Sequence, residues 1–166
     1  MTDPRRIDKA RVLDALRARL AENLDELLAA QRTVQHGAVH EENRQEHAKD
    51  TRAIEQTYLA RGLAERVEDL TDAVRRMAAL SIETYGDDDA VGLTALVVLE
   101  DEDGDEDVYF VAPFGGGERL DIDGLRVQVL TPQAPLGRAI VGRRTGDEVR
   151  LQLPGGTRLA SVVAVR

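Results

Sequence analysis

Two hydrophobic periods divide the chain. From Leu13 the apolar positions continue at Leu16, Leu20, Leu27, Ala30 and Val34, with Asn23 on the same stripe. Steps of three and four alternate, the heptad seam of paired α-helices, and a polar residue on such a seam can fix its register. A second seam runs through Leu63, Val67, Leu70, Val74 and Met77. Towards residue 48 it fades, because Ala48, Thr51 and Ile54 are small or isolated. Beyond Gly86 the period shortens. Leu93–Leu99 and Val108–Val111 are apolar runs of strand type, and Leu125–Val129 alternates. Val149–Leu153 and Leu159–Val165 are the last two strand patterns.

Breakers set the boundaries. Only three glycines and no proline fall between Pro4 and Asp87, namely Gly37, Gly62 and Gly86, so that stretch can hold long helices. Asp3 suits an N-cap and Pro4 the first helical position. Gly37 is expected to end the first helix as a C′ residue with positive φ. The second helix is expected from His40 or Glu41 to Leu80. A connection of about three or four residues forces an antiparallel pair. At 1.5 Å per residue, about 30 helical residues extend roughly 45 Å. The stretch 36–47 is therefore expected at the acidic tip of a hairpin. Gly62, inside the second helix, suggests a close crossing of the partner helix there.

Residues 83–90 (Tyr85-Gly86-Asp87-Asp88-Asp89 at their centre) read as a linker. In the second half, Pro135 can open a short helix that stops at Gly142. The fold class is thus α+β. An antiparallel coiled-coil hairpin over residues 1–82 is followed by a small, mostly antiparallel β domain with one short helix over 91–166.

Composition narrows the function classes. The net charge of −9 opposes duplex DNA binding, which needs many cation–phosphate contacts. Aromatics make up 3% of residues and tryptophan is absent, so base-stacking platforms are not expected. There is no cysteine, hence no disulfide or thiolate chemistry. This suits a cytoplasmic setting. No apolar run of membrane-spanning length is present, and the N-terminal residues lack a signal-peptide core.

Several groups could carry chemistry. Glu41 and Glu42 lie at the expected tip, where acids in a first helical turn are also favoured by the helix dipole. His36, His40 and His47 fall within twelve residues of each other, but their spacing does not set three ligands on one helical face, and no stably bound metal is expected. Seven acids surround Gly104 between Glu100 and Asp107. They read as a solvated hairpin turn that discourages edge pairing, without the ligand spacing of an EF-hand loop. Gly115-Gly116-Gly117 lacks the continuation of a phosphate loop. Tyr109, Phe110 and Phe114 read as core, and the pairs Arg75-Arg76 and Arg143-Arg144 as solvated charge.

Three motifs in order resemble one family. Ala134-Pro135-Leu136-Gly137-Arg138-Ala139-Ile140-Val141-Gly142 is followed by Thr145-Gly146-Asp147-Glu148-Val149 and then Leu153-Pro154-Gly155-Gly156. This succession is similar to the C-terminal domain of the bacterial Gre transcript-cleavage factors. His36-Gly37, Glu42-Asn43 and His47-Ala48 resemble that family's tip segment. The resemblance implies a coiled coil joined to an FKBP-like β domain that docks on the rim of the RNA polymerase secondary channel. It further implies that the coiled coil enters the channel and brings tip acids to the polymerase active site near the RNA 3′ end. There they help hold a Mg²⁺ of the polymerase and position a water, so that the polymerase, and not the factor alone, cleaves backtracked RNA. No cofactor of its own is implied. On this reading Glu42 and Glu41 are the catalytic acids, Asn43 and His40 flank them, and Gln133, Pro135 and Leu136 meet the rim.

The chain departs from the family pattern at the tip. Aligning Glu42-Asn43 with the family's Glu-Asn leaves Ala38 or Val39 where an aspartate is usual. In the docking loop, Gln133-Ala134-Pro135 stands where Asp-Ser-Pro is common. A non-cleaving channel regulator is therefore the companion expectation. A prolyl isomerase and a plain coiled-coil dimeriser are the rivals from other classes.

Overall fold

The computed structural model describes residues 3–42 and 49–166, with the side chains of residues 38–42, 49, 50 and 153 outside the description. It divides into two units, residues 17–78 and residues 1–16 with 79–166.

The helical unit holds most of α1 (Lys9–Glu42) and all of α2 (Lys49–Ala78). Both expected seams are the protected stripes. Leu20 is buried and Asn23, Leu27 and Val34 are half-buried on α1, although Gln31 is shielded where Ala30 was expected. On α2 the stripe Leu63, Val67, Leu70, Val74 and Met77 is protected and extends to Ala60 and Gln56. Half-burial is what two helices without a third layer can achieve. Arg17 fixes the antiparallel sense. Its Nε donates to the Met77 carbonyl at 2.9 Å and its Nη2 to that of Ala78 at 3.3 Å. A cation thereby meets the free carbonyls at the negative end of α2.

Three expectations for the helices are corrected. The first helix does not stop at Gly37 but runs to Glu42, with no positive φ at that glycine. One glycine costs about 1 kcal/mol in a helix interior, less than a continuing ladder of hydrogen bonds returns. His40 and Glu41 belong to α1 rather than to the second helix, whose described span is Lys49–Ala78. No close crossing explains Gly62, because a Cβ built there meets nothing within 4 Å. Gly62→Ala is therefore expected to stabilise the helical unit by roughly 0.5–1 kcal/mol. A thermal melt followed by helical circular dichroism checks this, and an unchanged or lower midpoint would contradict it.

The second unit is a six-stranded sheet in the order β3-β4-β2-β1-β6-β5. Its strands are β1 (Leu96–Asp101), β2 (Glu106–Val111), β3 (Arg119–Ile122), β4 (Leu125–Leu130), β5 (Glu148–Leu153) and β6 (Gly156–Val165). The short helix α3 is Pro135–Ile140. All strand pairs are antiparallel except β2–β4. Strand β3, which the sequence reading lacks, has only four residues, and the tight turn at Asp123-Gly124 joins it to β4 (both φ positive). Leu93-Thr94-Ala95 is not strand. Thr94 is fully buried at φ +63, an uncommon conformation for a β-branched residue, held by its N–H on Val111 O at 2.7 Å.

Both faces of the sheet are buried. Val97, Leu99, Tyr109, Val111 and Val162 form one core with Ile140 of α3. The alternate residues Leu96, Val98, Phe110, Val127 and Val129 face the other way and are equally enclosed. In the same unit, Ile7, Val12, Leu13 and Leu16 are buried on the N-terminal segment. Two ion pairs tie that segment to the sheet, Arg5–Glu106 at 2.8 Å and Arg11–Asp123 at 2.5 Å. Arg5 also offsets the like-charge pairing of Glu106 with Glu100 across β1 and β2. The first sixteen residues thus group with the β half, whereas the sequence reading places all of 1–82 in the hairpin.

Residues 83–90 are pinned rather than loose. Glu83 N–H donates to Thr94 Oγ1 at 2.8 Å, Tyr85 OH to Leu93 O at 2.6 Å, and Gly86 N–H to Asp89 Oδ2 at 2.7 Å. Lys9 Nζ donates to Glu83 O at 2.5 Å and lies 4.9 Å from the Tyr85 ring centre. Burial pushes the Lys9 amine below the ordinary lysine range, with Glu83 opposing that shift, while burial raises the Tyr85 phenol.

Candidate functional site

The sequence points to two places, one in each unit. In the helical unit, Glu41 and Glu42 are the last two residues of α1. They are not the first turn of the next helix, as the sequence reading has them. The helix dipole favours acids at an N-terminus and disfavours them at a C-terminus by about 0.3–1 kcal/mol. The N-terminal dipole that favours acids in a first helical turn therefore does not account for them here. Successive helical positions stand about 100° apart, so Glu41 and Glu42 occupy different faces. Asn43 and His47 lie outside the described residues, as do the side chains of His40, Glu41 and Glu42. His36 is exposed on α1.

The second place is the turn from β4 into α3. Ala134 is the N-cap without a side-chain cap bond, and Pro135 takes the first helical position, where its missing N–H costs nothing. Ala134 N–H donates to Thr131 O at 3.1 Å, and Arg138 N–H to Ala134 O at 2.9 Å. The Arg138 guanidinium reaches back to Gln133 O at 2.7 Å and closes the loop. Gly137 is required by contact, because a Cβ there would stand 1.9 Å from Thr131 O. At the other end Gly142 adopts φ +86 and its N–H donates to Val91 O at 2.8 Å, stopping α3 near the expected residue.

An open groove of roughly 420 Å³ runs beside this turn, lined by Gly116, Gly117, Gln128, Thr131, Pro135, Leu136 and Gln152 with three neighbours. Two of the three expected docking residues, Pro135 and Leu136, lie in its wall. Gln133 is exposed outside it and contributes its carbonyl to the loop. Sequence reasoning missed Gln128 and Gln152. Each is the polar half of an alternating strand, and they come from β4 and β5, which are not neighbours in the sheet.

The other candidate groups are absorbed by structure. Phe110 and Tyr109 are core residues. Burial, followed by the Asp107 charge and hydrogen bond, pushes the Tyr109 phenol up to about 12. The groove contains no aromatic ring. In the acidic turn, Asp101 Oδ1 accepts the N–H groups of Asp103 at 3.0 Å and Asp105 at 2.9 Å, a turn-closing role. Arg75 and Arg76 pair with Asp72 on their own helix, and Arg144 donates to Asp88 O.

Comparison with known proteins supplies the context for these two places. The family described as "Transcription elongation factor, GreA/GreB, C-term" matches residues 86–166. Transcription elongation factor GreA of Sulfurovum sp. (strain NBC37-1) is 31% identical over 151 residues, 90% of this chain and 90% of that protein. Transcription elongation factor GreA of Geobacillus kaustophilus (strain HTA426) is 29% identical over 131 residues, covering 78% and 73%. Among solved structures, that of the transcription factor Gfh1 superposes with a TM-score of 0.42 at 23% identity, covering 92% of this chain and 94% of that one.

Proposed function

The chain belongs to the GreA/GreB family of transcription elongation factors and acts on RNA polymerase; we propose that it does so by passing the acidic end of α1 into the enzyme's secondary channel. The observation that carries this reading is the pair Glu41-Glu42 at the far end of the 34 described residues of α1, remote from the helix N-terminus that would favour acids. The β unit would hold the factor at the channel rim through the Gln133–Leu136 turn.

Magnesium bound at the polymerase active site supplies the Lewis acid for phosphodiester hydrolysis. This chain supplies an oxygen ligand, Glu42, with Glu41 beside it on another face of the helix. Asn43 and His40 border the acids and are assigned to contacts near the RNA 3′ end. On this reading the protein is not an enzyme by itself, has no resident cofactor, and works in the cytoplasm with the polymerase. Among the described residues no helix is long and apolar enough to cross a membrane.

A second reading has its own observation. Ala38 and Val39 stand where the family's tip aspartate is expected, and neither can bind a metal. A factor lacking that acid would occupy the channel and slow synthesis without cleavage.

Adding the protein to a stalled, backtracked elongation complex with Mg²⁺ separates the two. RNA shortening that falls on the order of 100-fold in Glu42→Ala supports cleavage. Slower nucleotide addition without shortening supports the channel blocker. Neither effect, with no polymerase binding, would overturn both.

A further inference from the structure

We propose that the outer face of α2 around Tyr58 is a self-association surface, through which two copies of this chain cross antiparallel about a two-fold axis. Among the described residues six large apolar side chains are exposed. The three most exposed lie within one stretch of α2: Ile54 at 55%, Tyr58 at 70% and Leu59 at 69%. Ile54, Tyr58 and Gly62 are spaced by four, so they form one ridge. That ridge lies on the side of the helix away from the protected positions Gln56, Ala60, Leu63 and Val67. Gly62 is the notch in it. Glycine weakens the helix there, and a Cβ built on it meets nothing within 4 Å, so the chain's own packing does not require it. Exposed apolar clusters of this kind mark interaction sites.

The order of residues selects a second copy as the partner. Ile54 and Gly62 each stand four residues from Tyr58, and Glu55 and Arg61 each stand three. When two such helices cross antiparallel at Tyr58, Ile54 of each copy falls opposite Gly62 of the other, and Glu55 opposite Arg61. A two-fold interface repeats both matches. Crossing at about −50° brings such i±4 ridges into line, and glycine lets the backbones approach. The Tyr58 rings meet at the axis, where an aromatic pair adds to the buried area. Charge permits association at this face although the whole chain opposes it. The chain carries −9, but residues 51–66 hold three arginines and two glutamates. One helix crossing buries less than the roughly 1,200–2,000 Å² of stable complexes, so a dissociation constant on the order of 10–100 µM is expected. The consequence rests on the channel-entry reading given above: an arm covered by a second copy is withheld from the polymerase.

Sedimentation of the full chain tests the pairing without polymerase, so its outcome is independent of that reading. Between about 5 and 500 µM the weight-average mass should rise from 18.2 kDa toward twice that value. Tyr58→Glu and Gly62→Leu should each weaken association by about tenfold or more. Leucine adds apolar surface, so weakening there reports loss of the notch and not of general stickiness. Glu55→Arg should weaken association, and adding Arg61→Glu should restore it, a rescue that reciprocal pairing between copies allows. Because the chain has no cysteine, Tyr58→Cys should cross-link to itself on air oxidation. Asp69→Cys, exposed on the same side of the helix but about 16 Å along it from the crossing, should not. A chain that stays monomeric at about 500 µM overturns the proposal. So does a Gly62→Leu variant that associates as tightly as wild type, or equal cross-linking at the two cysteines. A photo-crosslinker at Tyr58 that captures polymerase but no second copy overturns it too, with the channel-entry reading intact.

Discussion

Phe110→Ala is expected to lower the unfolding free energy by about 3–5 kcal/mol, the largest effect of any single truncation in the β unit. Phe110 is fully buried on β2, with β4 on one side and β1 on the other. Its register partners are Leu96 and Val129, both enclosed and on the same face. That row lies on the face opposite the α3 core, so the truncation opens a cavity between strands that cannot collapse without breaking pairing. Against a total stability of about 5–15 kcal/mol, the loss is about a fifth or more. Urea unfolding should show a lower midpoint with an unchanged slope. Phe110→Leu, which keeps most of the volume, should cost about 1 kcal/mol. A loss below about 1 kcal/mol in the alanine variant would mean that this face is not packed.

Gly137→Ala tests the docking turn, and here two principles predict opposite signs. Helix propensity alone favours alanine over glycine by about 1 kcal/mol. Contact predicts the reverse, because the new methyl would stand 1.9 Å from Thr131 O, 2.9 Å from Thr131 C and 3.1 Å from Pro132 Cα. All three atoms are backbone, so no rotamer change relieves the clash. The contact term wins, and a net destabilisation of about 3 kcal/mol is expected. The helix must retreat from the loop, which shifts Pro135 and Leu136 and should weaken polymerase binding as well. Gly62→Ala, with open space above it, carries the helix-propensity term alone and moves stability upward. Finding the same sign at both positions would refute the contact argument.

Much of the architecture was legible because the apolar periods are strong. The seams from Leu20 to Val34 and from Leu63 to Met77 are the stripes that become protected, and the strand patterns at Val108, Leu125 and Val149 hold. Errors cluster where a weak local signal meets a stronger cooperative one. Gly37 resembles a stop, but helical hydrogen bonds carry α1 past it. Strand β3 has two apolar residues in four, too few to show a period, and exists by pairing with β4. The grouping of residues 1–16 with the sheet was not legible at all. Leu13 and Leu16 fit the coiled-coil stripe equally well, and nothing local tells a helix which surface it will cover. The site divides in the same way. Pro135, Leu136 and the tip acids are candidates that follow from motif and position, whereas Gln128 and Gln152 line one groove from strands far apart in the sequence, which no local pattern signals.

The placement of Val12, Leu13 and Leu16 has a consequence for biosynthesis. These residues leave the ribosome ahead of β4, β6 and everything else from residue 79 onward that completes their unit. Contacts so distant in sequence form late. The intervening 62 residues, Arg17–Ala78, can coil up by local interactions while the opening segment still waits, greasy side exposed, for a sheet not yet translated. A nascent chain paused near residue 90 should therefore be at its most dependent on chaperones.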